Sequence, residues 1–406
     1  ESQTRNYEDP EVSRQVIRGN IYDRKGRLLA VEVPYWSCAF LHSYLPDIKA
    51  AAEVVAPYLF LTVDEIISRT EKNTTYTLLQ RKVDPAQLED LRQAIRKAGL
   101  SRGILLEKNY GREYPGTFHA VQVTGFTNTE NKGLEGIELA YDSFLSPYPS
   151  LNQEITYGGD IYLTLDMDVQ YLLDVNIQNI TDEHRPAYVF GMIMDAENGE
   201  ILASTSYPWY DANRYNLSDD NERNNRVVSY MYEPGSVFKI FSLASIMEIG
   251  QADIDTPFNE TGSYTFRMPN GENATIKSTS SRGLIGPREF IKYSTNGAIS
   301  HWSLQTDSEM FRQKLMDFGF GRSWDTGQPG IIPGLLLPVS SWSGRTKPTI
   351  SFGQEIGVSA LQMVTAATAL AHDGQLLRPH IVLRQIDHDG TIVYEAEKEI
   401  IRQVVS

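Results

Sequence analysis

The sequence predicts an α+β protein with more than one domain. The chain has 406 residues, of which 41% are hydrophobic and 10% aromatic, which is enough apolar surface for large cores. Short β-branched runs joined by tight turns predict antiparallel strands, and separate runs with apolar residues three and four apart predict helices. Together these observations favour an α+β or mixed layered architecture.

The first hundred residues predict a hairpin followed by helices. A turn cluster at residues 23–26 lies between two short apolar runs, so we expect a hairpin within residues 18–30. Residues 47–100 are mostly helical in pattern, and the last helix has Asp84 and Pro85 as its cap and first turn. These helices contain no charged cluster that suggests catalysis, which indicates a structural role.

A glycine-rich stretch separates this part from the rest of the chain, with Gly158-Gly159 as the candidate boundary. Further on, the Asn198-Gly199 pair predicts a hairpin turn of the primed type. The last ten residues (EKEIIRQVVS) predict the start of an amphipathic helix. The strands predicted here are Ile161–Leu165, Tyr188–Met194 and Glu200–Ser206, and the helices are 168–180, Ile240–Met247, Phe290–Gln305 and Leu361–His372.

Composition argues against several classes of function. The chain has 37 basic and 52 acidic residues, and its net charge of −15 counts against nucleic-acid binding. The single cysteine, Cys38, rules out an internal disulfide framework and any cysteine-based zinc site, and the seven histidines lack metal-ligand spacing. We therefore expect no metal and no cofactor. The most apolar stretch, Val54–Val63, contains a proline and is too short to span a membrane.

The segment Glu233–Lys239 (EPGSVFK) carries the sharpest chemical signal. Pro-Gly interrupts the chain before an apolar helix, so Ser236 lies near a helix N-terminus, and Lys239 follows three residues later on the same helical face. A serine hydroxyl needs a neighbouring base to become a nucleophile, and a lysine whose ammonium form is disfavoured by burial can serve. A capping serine beside a solvated lysine is the plainer interpretation, and the motif alone favours it.

A second polar segment, Tyr293–Gly297, lies between two helical runs. Here Ser294 can relay a proton and Asn296 can hold a substrate amide through its two-sided side chain. Taken alone, the segment is better explained as a turn or capping cluster.

The combination of S-x-x-K with S-x-N is a signature of penicillin-binding proteins and class A β-lactamases. The sequence resembles a class B penicillin-binding protein, a monofunctional peptidoglycan D,D-transpeptidase, over nearly its whole length. Each further landmark is weak, and their order and number carry the resemblance. These landmarks are Arg18–Ala30, Arg112–Pro115 (REYP), Gly133–Glu138 (GLEGIE), Leu163–Asp166 with Gln170, Asp195–Ala203, Pro208–Asn213, Asn225-Arg226, and Ser351–Gln354 with Val358–Gln362.

The resemblance implies roles for particular residues. Ser236 would be the acylated nucleophile and Lys239 its general base, with Ser294 and Asn296 forming the second motif. The enzyme would attack the penultimate D-Ala carbonyl of a stem peptide, expel D-Ala, and pass the acyl group to an amine of a neighbouring stem. β-Lactams would acylate the same serine. The implied substrate-binding residues are Thr295, Gly235, Gly353 and Gln354.

The resemblance also implies domains, location and partners. Residues 1–155 would form an elongated pedestal or dimerisation-like domain for partners, and residues 156–406 a β-lactamase-like transpeptidase domain with an antiparallel sheet. The protein would act at the extracytoplasmic face of the bacterial cytoplasmic membrane, held by an N-terminal helix outside this sequence. Its partners would be peptidoglycan stem peptides, β-lactams, a SEDS-type glycosyltransferase and other division proteins. A septal role is favoured over elongation.

The third motif of the family, K-[ST]-G, does not occur in the 406 residues. Lys347-Pro348-Thr349 is no substitute, because its proline would break the strand. Since both ends of the sequence look cut, we expect the C-terminal part of the domain to be missing from this chain rather than from the protein.

Two other functions compete with transpeptidation. A β-lactamase is disfavoured because about 160 residues precede the catalytic part and no E-x-x-L-N segment of the class A kind lies between residues 296 and 350. A non-catalytic scaffold or β-lactam-sensing module is favoured only by the missing third motif.

Overall fold

The computed structural model describes residues 15–73, 75–149, 154–250 and 252–406. Helices and antiparallel strands are both abundant, which confirms the α+β prediction. The α-helices are Ile48–Leu59, Val63–Glu71, Pro85–Lys97, Val121–Thr124, Gly136–Ala140, Asp142–Leu145, Met167–His184, Asp220–Arg223, Arg226–Ser229, Lys239–Glu248, Pro287–Tyr293, Asn296–Gln305, Ser308–Asp317, Thr346–Ser351 and Ala360–Ala371. Short 3₁₀ helices lie at His42–Tyr44, Ala212–Leu217, Gly235–Phe238 and Val339–Ser341.

The strands form one larger sheet and several two-stranded pairs. The larger sheet runs, in spatial order, Ile392–Glu395, Val382–Ile386, Asp160–Leu163, Ile21–Tyr22, Leu28–Leu41 and Tyr76–Gln80, with Ile104–Glu113 also pairing with Leu28–Leu41. The two-stranded pairs are Gln15–Ile17 with Ile155–Tyr157, Val189–Met194 with Ile201–Tyr207, Phe258–Glu260 with Gly283–Ile285, Ser263–Arg267 with Asn273–Lys277, and Gln375–Leu377 with Ile400–Gln403.

In the part of the chain that the structure describes, buried apolar side chains form two separate cores. The smaller core lies between the strands Leu28–Leu41 and Ile104–Glu113 and the three helices of residues 48–97. The larger core extends from Ile21 to Val404 and includes the helices that carry the candidate site. The larger sheet joins strands from the two ends of the chain, because strand Asp160–Leu163 pairs with Ile21–Tyr22 on one side and with Val382–Ile386 on the other.

Three of the weak sequence landmarks meet in one buried cluster of charges. Glu138 accepts from Arg18 Nε at 2.7 Å and from Arg112 Nε at 2.5 Å, and Arg18 also pairs with Asp142 at 2.6 Å. We call Arg18, Arg112, Glu138 and Asp142 the arginine–glutamate cluster. Arg18 and Glu138 have fully buried side chains, and their opposite charges compensate one another. The cluster therefore connects three segments that are distant in sequence, around residues 18, 112 and 138–142.

Most of the predicted elements are present, and four details differ. The hairpin at residues 18–30 is confirmed by the pairing of Ile21–Tyr22 with Leu28–Leu41. Residues 47–100, predicted as mostly helical, also contain the strand Tyr76–Gln80, which pairs with the end of Leu28–Leu41. The predicted C-terminal helix is wrong: Ile400–Gln403 is a strand, because it pairs with Gln375–Leu377.

The turn at Asn198-Gly199 is also not of the primed type. Of the two residues only Gly199 has a positive φ, at +83°. Hydrogen bonds within residues 195–200 close a longer loop, in which Gly199 N donates to Asp195 O and Glu200 N donates to the Asn198 side chain. Finally, the predicted helix Phe290–Gln305 is two helices, Pro287–Tyr293 and Asn296–Gln305, separated at Ser294.

Candidate active site

Ser236 lies on a one-turn 3₁₀ helix, Gly235–Phe238, that continues directly into the helix Lys239–Glu248. Gly235 has φ +61°, a conformation that glycine adopts without strain. Phe238 is fully buried and its ring lies 4.8 Å from that of Phe320, which anchors the turn in the core. The side chain of Ser236 is left exposed at the surface.

Lys239 is 2% exposed, and its amine points inward. Nζ donates to Ser294 O at 2.6 Å, to Ser294 Oγ at 3.1 Å and to Asn296 Oδ1 at 2.8 Å. All three acceptors are neutral. The structure therefore brings three of the four predicted catalytic residues into one hydrogen-bonded group.

Burial lowers the pKa of Lys239 to about 8, and the negative charge of Glu260 opposes this shift. A lysine in water has a pKa near 10.5, so it is almost wholly charged at neutral pH. With a pKa of about 8, roughly a tenth of the Lys239 side chains are neutral at pH 7. A neutral amine is the form that accepts a proton from a hydroxyl group.

The break between the two helices places the second motif. Ser294 ends the first helix in a left-handed conformation, φ +52°, and its N–H donates to Phe290 O at 2.7 Å. Asn296 begins the next helix, and its Nδ2 donates to Lys277 O at 3.1 Å. These bonds hold the backbone of Ser294 and the side chain of Asn296, and both side chains face Lys239.

Ser236 Oγ makes no hydrogen bond to any residue that the structure describes, Lys239 included. The spacing predicted that the two side chains would meet. In the structure the lysine is drawn instead toward Ser294 and Asn296, because burial favours a position in which all three N–H donors have acceptors. The hydroxyl of Ser236 remains free to receive a ligand.

The residues predicted to bind substrate occupy different positions. Gly235 N donates to Gly353 O at 2.9 Å, and a Cβ on Gly353 would lie 2.1 Å from Gly235 O, so the two glycines form a close backbone contact behind Ser236. Gln354 follows on the same segment and is exposed. Thr295 is fully buried, with an Oγ1 that has no partner among the described residues, so its side chain faces the protein interior.

Sequence reasoning missed the buried carboxylate that lies beneath this group. Glu260 is fully buried and accepts from Ser278 Oγ at 3.0 Å and from Gly262 N at 3.0 Å. The segment around it, FNETG, has no motif or periodicity that marks a functional acid. Its importance comes from the fold alone.

Comparison with known families gives a match for each part of the chain. Residues 13–156 match the penicillin-binding protein dimerisation domain, and residues 189–406 match the penicillin binding protein transpeptidase domain. The chain belongs to the class B penicillin-binding proteins. The resemblance inferred from the sequence is therefore confirmed, as is the order of a dimerisation domain followed by a transpeptidase domain. The predicted boundary between residues 155 and 156 stays a prediction.

Several curated relatives share this organisation. The chain is 29% identical to the probable peptidoglycan D,D-transpeptidase PenA of Neisseria meningitidis over 385 residues, which is 89% of the chain and 64% of the relative. It is 27% identical to penicillin-binding protein PbpB of Mycolicibacterium smegmatis, covering 88% and 58%. The probable peptidoglycan D,D-transpeptidase FtsI of Caulobacter vibrioides is 26% identical, covering 88% and 58%. The chain thus spans about three fifths of the length of these relatives.

Solved structures support the fold. Penicillin binding protein 3 of Mycobacterium tuberculosis has a TM-score of 0.73 and 23% identity, covering 97% of this chain and 72% of that one. Penicillin binding protein 2X of Streptococcus thermophilus has a TM-score of 0.76 and 21% identity, covering 97% and 64%. In the described residues of the present chain, no helix is both long and apolar enough to span a membrane. The same residues contain no group of three His, Cys, Asp or Glu side chains that could hold a metal ion.

Proposed function

We propose that this chain carries the serine site of a peptidoglycan D,D-transpeptidase that β-lactams acylate. The observation that carries the proposal is the environment of Lys239, whose amine is buried, bonded to neutral acceptors only, and one helical turn from an exposed serine. A lysine that needs only to remain charged gains from a carboxylate partner. This one lacks an ion pair with any described acid, and its pKa is about 8.

In the first half of the reaction, Ser236 Oγ attacks the carbonyl carbon of the penultimate D-Ala. Its proton passes to the neutral amine of Lys239, and the tetrahedral adduct collapses as the peptide C–N bond breaks. The terminal D-Ala leaves as an amine after it receives a proton, for which Ser294 Oγ, 3.1 Å from Lys239 Nζ, is the proposed relay. Asn296 holds the substrate amide and keeps Lys239 in place.

In the second half, the amine of a neighbouring stem peptide attacks the ester carbonyl of the acylated serine. The ester C–O bond breaks, Ser236 Oγ recovers a proton, and an amide cross-link forms. A β-lactam enters the same first step, but when its ring C–N bond breaks, the nitrogen that should leave stays tethered to the acyl group through the rest of the ring. The product is a stable ester on Ser236.

The proposed setting follows from the family. We place the enzyme at the extracytoplasmic face of the cytoplasmic membrane, where its stem-peptide substrates lie, with a SEDS-type glycosyltransferase and division proteins as partners. The names of the relatives PenA and FtsI support transpeptidation, and the pairing of a dimerisation domain with a transpeptidase domain supports a partner-binding role for residues 1–155.

A non-catalytic scaffold is the second candidate, because the 406 residues contain no K-[ST]-G motif. Labelling of the full-length protein with a fluorescent penicillin separates the candidates. We expect a stable covalent band that disappears in Ser236→Ala and persists in Ser263→Ala, a matched change at an exposed serine of the neighbouring hairpin. Absence of any adduct would support the scaffold, and rapid hydrolysis of the penicillin would support a β-lactamase.

A further inference from the structure

Glu260 is a buried acid that the reaction described above does not use. It ends the strand Phe258–Glu260, is fully buried, and forms no ion pair with any described residue. An isolated buried carboxylate is costly unless hydrogen bonds and dipoles stabilise it. Here the stabilising donors are Gly262 N and Ser278 Oγ, each at 3.0 Å.

The carboxylate also lies against the first turn of the helix that carries Asn296. A Cβ built on Gly297 would lie 2.8 Å from Glu260 Oε2, so only glycine lets the acid approach the helix so closely. The N-terminal end of a helix carries partial positive charge, which stabilises an adjacent anion. Helix Asn296–Gln305 has ten residues, long enough for a well-formed first turn.

A chain of two hydrogen bonds connects Glu260 to the backbone beside Asn296. Gly297 N donates to Ser278 Oγ at 2.9 Å, and Ser278 Oγ donates to Glu260 Oε2 at 3.0 Å. Thr295, the residue that caps this helix, makes no capping bond with its own side chain. Ser278 therefore supplies the missing cap, and Glu260 holds Ser278 in position.

The helices packed around Lys239 carry other charges, but these are engaged elsewhere. Glu260 is the charged group whose field reaches the Lys239 amine, where it opposes the effect of burial on the pKa. Most of the other groups contact partners of their own. Two form ion pairs, Lys314 with Glu248 and Asp317 with Arg402, and four form hydrogen bonds, Arg312 with Leu337 O, Lys347 with Thr306 O, His301 with Tyr264 and Glu289 with Gly286 N. Lys292 and Arg282 lie over the Tyr293 ring, and Arg288 and Glu309 are exposed.

We propose that Glu260 is a positioning residue for the acylation of Ser236: through Ser278 it fixes Asn296 against the Lys239 amine, and its carboxylate places a negative charge beside the start of the helix that carries Asn296. The inference rests on the proposed function, since it assumes that Lys239 is the general base. Glu260 does not touch the substrate. It acts through the helix and through its electric field.

Two variants separate the two parts of this role. Glu260→Gln removes the charge, whereas Ser278→Ala keeps the charge and breaks the hydrogen-bond chain. In the full-length protein we would measure the second-order rate constant of acylation by a fluorescent penicillin between pH 6 and 10. Glu272→Gln, an exposed acid at the tip of the neighbouring hairpin, is the matched control for loss of one negative charge.

We expect Glu260→Gln to shift the midpoint of the pH profile downward by about one unit, because a lysine without a nearby anion loses its proton more readily. Its plateau rate should also fall about tenfold, because Asn296 is less firmly placed. Ser278→Ala should lower the plateau by a similar factor without moving the midpoint, and Glu272→Gln should change neither.

An unchanged midpoint in Glu260→Gln would overturn the electrostatic role, and an unchanged plateau in Ser278→Ala would overturn the positioning role. If Glu260→Gln does not fold, as judged by its thermal unfolding, Ser278→Ala still tests the hydrogen-bond chain. These failures differ from failure of the proposed function, in which the unaltered protein forms no adduct or Lys239→Ala reacts at the normal rate.

Discussion

Two buried cationic side chains in this molecule, Arg18 and Lys239, differ in how firmly they hold a proton. In the arginine–glutamate cluster, Arg18 lies 2.7 Å from Glu138 and 2.6 Å from Asp142. At the candidate active site, Lys239 lies within hydrogen-bonding distance of neutral oxygens of Ser294 and Asn296. Both cations are almost fully removed from water, so the difference comes from their partners.

The pKa values follow the partners. Burial alone would lower the pKa of Arg18, but attraction to Glu138 and Asp142 outweighs it and raises the value above the ordinary one. For Lys239, burial dominates, Glu260 opposes it only in part, and the pKa falls to about 8. Arg18 therefore keeps its proton, as a structural ion pair requires, whereas Lys239 can release its proton, as the proposed general base must.

The largest expected effect is on the rate of acylation when Lys239 is replaced. Lys239→Ala should slow acylation by a fluorescent penicillin about 10³-fold, because a serine without its base is a poor nucleophile. Lys239→Arg should be equally slow, since arginine keeps its charge at every accessible pH. A near-normal rate in either variant would contradict the assignment of Lys239 as the base, provided that circular dichroism shows the fold to be intact.

Glu138→Ala should have the largest effect on stability. It leaves Arg18 with Asp142 alone and Arg112 buried without an ion pair to any described residue. Loss of one partner from a buried ion pair costs about 3–5 kcal/mol of unfolding free energy. Urea unfolding measures the change. Asp142→Asn is the control, because the Asp142 side chain is 30% exposed and should cost less. Equal losses of unfolding free energy in the two variants would show that the burial of Glu138 does not determine the cost of removing it.

Gly353→Ala should separate geometry from proton affinity at the active site. The residue has φ +82°, and its new Cβ would meet Gly235 O at 2.1 Å, so the turn that carries Ser236 must shift. Acylation should fall about 10²-fold, as expected for a displaced nucleophile, with no change in the midpoint of its pH profile. A moved midpoint would mean that Gly353 also affects Lys239.

The pH profile of the unaltered protein provides the smallest of these effects. In the proposed mechanism the reactive form of Lys239 is the neutral amine. Since the pKa of Lys239 is about 8, acylation should be about tenfold slower at pH 7 than on the plateau above pH 9. A midpoint of the acylation profile near 10.5 would indicate a solvated lysine.

The same lowered pKa affects stability. Between pH 8 and 10.5 the unfolded chain binds more protons than the folded protein, so Lys239 makes the free energy of unfolding rise with pH across that window.

Local patterns in the sequence predicted those parts of the molecule that local forces determine. The hairpin at residues 18–30 and the helix start at Asp84-Pro85 depend on turn and capping residues, and both are present. Strand Tyr76–Gln80 and strand Ile400–Gln403 depend on partners distant in sequence, and the pattern missed the first and assigned a helix to the second.

The candidate site shows the same division. Spacing and motif identified Ser236, Lys239, Ser294 and Asn296, and the fold brings the last three together. Spacing also predicted a Ser236–Lys239 contact, but Lys239 bonds across to the neighbouring helices instead. No local pattern could reveal Glu260, because its burial against Gly297 depends on residues 260, 278 and 297 meeting in space.

The most direct test of the central claim is to locate the adduct. The full-length protein would be treated with penicillin and digested with trypsin, which releases residues 227–239 as one peptide containing Ser229 and Ser236. Fragmentation in the mass spectrometer should place the penicilloyl group on Ser236. An adduct on Ser229 or on any other peptide, or no adduct at all, would contradict the identification of Ser236 as the nucleophile.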